Sequence, residues 1–198
     1  MEVRRILPLA LGFYGAMAGV SLLWGFARGF FPLWWPPQME PPHRVLEAGL
    51  GIAAGLVGVA LSWLLDQRVP AVRELAERFG TIMAGLPASA TWTLAAISGI
   101  GEEMFFRGCL QEELGLWAAT LIFAVVHTGR ERMYRWWTLS AFAFGLVMAL
   151  LYERSGLLAP ILMHATINGV NLRILSQRGV RASRGDGPIP LGEHLPLG

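Results

Sequence analysis

Three stretches of this chain run for about twenty residues, the length that crosses a hydrocarbon core of roughly 30 Å as a helix, with at most one charge among them. Ile6 to Phe26 has no charged residue, Val45 to Leu65 has only Glu47, and Thr81 to Ile100 has none. Followed along the whole chain, the pattern predicts six spans near 6–27, 45–65, 88–114, 116–128, 136–152 and 157–175. The expected fold class is therefore all-α, a polytopic transmembrane helix bundle of about six spans. Residues 1–175 form its single transmembrane domain, and 176–198, rich in Gly, Pro, Ser and Arg without periodicity, read as a disordered cytoplasmic tail.

The segments between the spans carry their own signals. Phe30 to Pro42 is crowded with proline and tryptophan, which break helices and settle at headgroup level, so an interfacial loop is expected there. In Ala71 to Leu86, Arg73, Glu74, Glu77 and Arg78 alternate with Val72, Leu75, Phe79 and Ile82 at helical spacing, which predicts an amphipathic helix on the surface or leading into the bundle. Ser89 is the expected N-cap of the third span. Arg4 and Arg5 before an apolar run imitate a secretion signal, but the run is longer than a signal's apolar region and more spans follow, so it is read as the first helix.

Composition agrees: 54% hydrophobic residues, 15% charged and a mean hydropathy of +0.49 are outside the range of a water-soluble domain. All sixteen basic residues are arginine, the net charge is only +2, and the arginines are not gathered into a tract with aromatics, so nucleic acid is not an expected partner. Membrane lipids are. A single cysteine, Cys109, forms no intrachain disulfide and reads as a small hydrophobe.

Candidate chemistry lies within the spans. Gly101-Glu102-Glu103-Met104-Phe105-Phe106-Arg107-Gly108 places two carboxylates and a guanidinium at membrane depth, each costing about 2.5–3.5 kcal/mol on insertion scales. Glu103 and Arg107, four apart, share a helix face and can pair, whereas Glu102 lies about 100° round the helix and points elsewhere. His127 closes the fourth span. His164 and Asn168 stand four apart on one face of the last. With the turn at Leu114-Gly115, Glu102 lies about 12 residues before it and His127 about 12 after, so at ~1.5 Å per residue both sit some 18 Å from the turn. His164 and Asn168 fall about 10–17 Å from the same side. All four can meet in one pocket opening toward the cytoplasmic half.

Three motifs in order, Glu-Glu-x-x-x-Arg at Glu102, Glu103 and Arg107, Phe-x-x-x-His at Phe123 and His127, and His-x-x-x-Asn at His164 and Asn168, make the chain resemble the type II CAAX prenyl endopeptidases and their bacterial relatives, the CAAX-protease and bacteriocin-processing family. The resemblance covers about 89–171. It implies an intramembrane endopeptidase in which Glu102 and His127 activate a water, His164 and Asn168 hold the oxyanion, and Glu103, Arg107 and Phe123 support them. The residue chemistry allows this. No cofactor is expected; zinc is the alternative, since His127, His164 and a glutamate offer three ligands with water as the fourth, although no His-Glu-x-x-His helix is present. The substrate expected is a peptide or membrane protein, which the resemblance allows to be prenylated. A proton-coupled transporter and a non-catalytic membrane scaffold or immunity protein are readings from other classes.

The expected location is the cytoplasmic membrane of a prokaryote. With the N-terminus inside, twelve arginines fall on the cytoplasmic side, counting Arg173 at the inner end of the last span, and only Arg28, Arg44 and Arg154 fall outside. Reporter fusions at Gly198 and within 30–42 should therefore give opposite signals, cytoplasmic at the C-terminus; equal signals contradict the topology.

Overall fold

A computed structural model of the chain describes residues 3–36 and 41–185, and no strand occurs among them. The helices are α1 (Val3–Arg28), the single turn α2 (Phe31–Trp34), α3 (Pro41–Arg68), α4 (Pro70–Met83), α5 (Ala88–Phe105), α6 (Glu112–Leu114), α7 (Leu116–Val126), α8 (Tyr134–Ser155) and α9 (Leu158–Arg184). A π-helical turn, Phe106–Gln111, joins α5 to α6, so the expected third span is one continuous rod with a widened stretch. Gly115 ends it: at φ +82° the backbone takes a conformation open to glycine, and α7 folds back alongside.

The molecule is apolar outside. Leu9, Phe13, Leu23 and Phe26 on α1, with Val45, Leu46, Leu56 and Val57 on α3, are exposed, as lipid-facing side chains would be. Four segments are long and apolar enough to cross a membrane: Ile6–Arg28, His43–Arg68, Ala88–Val126 and Tyr134–Ser155. Two of the six expected spans thus differ from simple apolar spans. α7 has 11 residues and, at ~1.5 Å each, reaches only about halfway through a bilayer. α9 is too polar to count as a span by composition, and its position explains how it is tolerated. It is the central helix, packed by α3, α4, α5 and α8, so its polar groups meet protein rather than lipid.

Close helix approach rests on small residues. Gly51, Gly55 and Gly58 of α3 face α9 so tightly that a Cβ on Gly55 would stand 2.6 Å from Thr166 Cβ and 3.0 Å from the Met163 carbonyl oxygen. The amphipathic helix expected over 71–86 is α4. Its buried Leu75 and Gly80 form its inner face, and Gly80 lies beside Gly179 of α9. Arg178 of α9 pairs with Asp66 at the end of α3 at 2.7 Å, which closes this end of the bundle.

Three local expectations are corrected. Pro87, not Ser89, occupies the N-cap of α5, and no side chain caps that end. Within the expected interfacial loop, Phe31–Trp34 form a helical turn whose Trp34 is buried and donates from its indole nitrogen to the Gly108 carbonyl, filling the space beside the π turn; 37–40 lie outside the described residues. The tail expected from 176 begins later, because α9 continues to Arg184 with Ser176 buried against the Leu86 carbonyl. Residues 186–198 lie outside the described residues.

Candidate active site

Glu103 is fully buried and is the acceptor on which the site is assembled. Arg107, one turn on, donates from Nη1 to Glu103 Oε1 at 3.2 Å and sets Nε 3.2 Å from Oε2. A second helix enters here: His164 Nδ1 of α9 lies 2.7 Å from Glu103 Oε1. An ionised carboxylate only accepts, so Nδ1 carries the proton and Nε2 is turned away from Glu103. Arg107 also reaches a third helix, donating from Nη2 to the Gly145 carbonyl of α8 at 3.0 Å, and its guanidinium lies over the Phe123 ring of α7 at 4.3 Å. Gly145 must be glycine for this fit, since a Cβ there would meet Phe123 Cδ1 at 2.9 Å and Arg107 Nη2 at 3.1 Å. Gln111 repeats the pattern one turn further, donating to the Ala149 carbonyl at 3.2 Å. The π turn thus docks on α8 through two side chains that satisfy backbone carbonyls out of water.

Glu102 looks the other way, as its position on the helix requires. Its Oε2 is buried without a hydrogen-bond partner in the protein and lies 3.6 Å from His127 Nε2 and 4.0 Å from His164 Nε2. His127 caps the end of α7. Its Nδ1 donates to the Phe123 carbonyl at 2.7 Å, which leaves Nε2 as the nitrogen aimed at Glu102. Phe123 packs tilted against this ring at 4.4 Å and Trp137 meets it edge-on at 5.6 Å, while Thr138 donates to the His127 carbonyl at 3.1 Å. Both imidazoles are therefore held with Nε2 toward one carboxylate oxygen.

Asn168 sits a turn further along α9, half-buried, donating from Nδ2 to Ser98 Oγ at 3.0 Å. Ser98 is itself a turn before Glu102 and donates to the Ala95 carbonyl at 3.2 Å. The amide retains a second N–H and its oxygen. Glu102, Glu103, Arg107, Phe123, His127 and His164 are thus brought into one cluster, with Asn168 adjacent to it. Cys109 is buried beside Trp34, Tyr152 and Leu157, with Sγ 3.6 Å from the Ser21 carbonyl, and stands outside the cluster. Sequence reasoning missed Ser98, Gly145 and Trp137. Ser98 had a signal, lying four residues before Glu102 on the same face.

Residues 84–170, which contain all three motifs, match the family model described as type II CAAX prenyl endopeptidase Rce1-like. The uncharacterized protein YpbD of Bacillus subtilis (strain 168) is 39% identical over 80 residues, a stretch amounting to 39% of this chain and 41% of YpbD, so the similarity spans less than half of that relative. No solved structure matches.

The two adjacent glutamates should differ in stability terms. Glu103→Gln strands the Arg107 charge inside the bundle, a loss that typically costs about 3–5 kcal/mol, and also loosens His164. Glu102→Gln removes a carboxylate oxygen with no partner and should change stability by about 1 kcal/mol or less. Thermal unfolding of both variants in detergent checks this; equal losses contradict it.

Proposed function

We propose that this chain, similar over residues 84–170 to Rce1-like type II CAAX prenyl endopeptidases, is an intramembrane endopeptidase that hydrolyses a peptide bond with a water held by Glu102 and His127. The observation that carries the reading is Glu102 Oε2, buried, unpartnered and facing two imidazole Nε2 atoms at 3.6 and 4.0 Å. A carboxylate oxygen and a ring nitrogen at this spacing suit one water that gives a hydrogen to each at about 2.8 Å. That water presents its lone pairs to the scissile carbonyl carbon and surrenders a proton to the Glu102–His127 pair as it attacks. The same proton then passes to the leaving amine.

The developing oxyanion needs donors. With Nδ1–H given to Glu103, His164 donates from Nε2 as an imidazolium, its charge bracketed by the two glutamates, and the free N–H of Asn168 is the second candidate. Glu103 and Arg107 hold the imidazole in place and take no proton. The bundle around α9 keeps bulk water from the site, which strengthens each of these interactions. The substrate in this reading is a peptide segment presented at the membrane, from a lipid-anchored or membrane-spanning protein, reached from the cytoplasmic half, with both termini of the enzyme on that side. A prenyl group on that substrate is the family's expectation carried over.

A zinc-dependent hydrolase is the second reading, because imidazoles whose Nδ1–H is bound to a carboxylate or a backbone carbonyl are also oriented as metal ligands are. The metal-free route is preferred because a glutamate and a histidine can activate water unaided and His164 is better used as a donor beside Asn168.

Turnover of a membrane-anchored peptide should fall by about 10²–10⁴-fold in Glu102→Gln, the usual loss on removing a general base, while substrate still binds. The wild-type rate should survive chelation. Stoichiometric zinc bound through His127 and His164, with activity lost on chelation and restored by zinc, contradicts the metal-free route.

A further inference from the structure

We propose that Ser98 is a positioning residue of this site. Its hydroxyl oxygen holds the NH2 end of the Asn168 side-chain amide, so that the second N–H stays available to an oxyanion and the amide oxygen does not take its place. The inference rests on the hydrolytic reading above.

The contact belongs to a seam between α5 and α9. The two helices run antiparallel here: Glu103 meets His164 at 2.7 Å, while Ser98, earlier on α5, meets Asn168, later on α9, at 3.0 Å. Between these two contacts the helices approach closely at Gly99, where a Cβ would stand 3.2 Å from the Ile161 carbonyl oxygen and 3.3 Å from the Ala165 nitrogen. A glycine beside Ser98 and an alanine beside His164 therefore set how far apart the helices lie. At that separation the short side chain of a serine reaches the asparagine. Both α9 side chains that can donate to an oxyanion thus lean on polar partners from α5, His164 on Glu103 and Asn168 on Ser98.

The direction of the bond follows from the serine. Ser98 is buried and its Oγ donates to the Ala95 carbonyl at 3.2 Å, back along its own helix. A hydroxyl has one proton. Toward Asn168 its oxygen accepts, and the end of the amide that meets it is Nδ2. The terminal torsion of an asparagine is broad and roughly two-fold, so the torsion itself does not choose between nitrogen and oxygen. Turned over, the amide would set Oδ1 against Ser98 Oγ, two acceptors in contact unless Ser98 gave up the Ala95 carbonyl. The choice matters to the chemistry, because a developing oxyanion is stabilised by an N–H and repelled by a carbonyl oxygen. Ser98 makes that choice through Asn168.

Ser98→Ala keeps a strong helix former and removes only the hydroxyl. The expected result is a fall in kcat of about 10-fold, the scale of one hydrogen bond, with KM unchanged. Asn168→Ala, which removes the donor itself, should cost about 10²–10³-fold. In the Asn168→Ala background, Ser98→Ala should cause no further loss. A purely structural role would reduce kcat equally in both backgrounds; that result, or an unchanged kcat in Ser98→Ala beside an active wild type, overturns the proposal. If the wild type shows no hydrolysis, the functional reading fails on its own, and the placement of the amide is judged by side-chain amide spectra of protein labelled with 15N-asparagine. The chain has two asparagines, Asn168 and Asn171. Ser98→Ala should move the pair of signals that Asn168→Ala removes and leave the Asn171 pair in place; an unmoved Asn168 pair overturns the proposal by this route.

Discussion

A buried carboxylate in a membrane protein has to be met by positive charge, and in this chain Glu103 is where that demand organises everything around it. Glu103 is wholly removed from solvent and is shared by Arg107, on its own helix, and by His164, on the central one. Each partner then brings in another element. Arg107 ties α8 through the Gly145 carbonyl and α7 through the Phe123 ring, and His164 anchors α9.

Adjacent acids acquire different work from this arrangement. Once Glu103 faces Arg107, helix geometry turns Glu102 by about 100°, toward the space where α7 ends and α9 passes. Because α7 stops after 11 residues, His127, which caps its end, is turned to face Glu102. The short helix, the polar central helix and the π turn would each be a liability in a lipid-facing element. The last two are tolerated because they lie inside the bundle, while α1, α3 and the outer faces of α7 and α8 turn apolar side chains outward.

The spans were legible because the cost of charge in hydrocarbon leaves uncharged runs that need no partner to be read. Glu102 and His127 were legible as a pair because both are counted along helices from one turn, at a fixed rise per residue. The Glu103–His164 bond was not, since it joins residues 61 apart and depends on how α9 packs on α5. Asn168 bound to Ser98, and the reach of Arg107 to a backbone carbonyl, were hidden for the same reason. The sequence pattern ends α9 near 175 because its polar second half resembles a tail; only its contacts with α3 and α4 make that half a helix.

The claim that Glu103 is the charge hub, and not the base, is tested most directly by a double-mutant cycle on Glu103 and Arg107. Glu103→Gln and Arg107→Met should each lower unfolding stability sharply, whereas the double variant, which strands no Arg107–Glu103 charge, should recover a large part of that loss. Turnover should stay low in the double variant, because His164 has lost the acceptor that orients it. Additive losses of stability, or a double variant with restored turnover, would contradict the account.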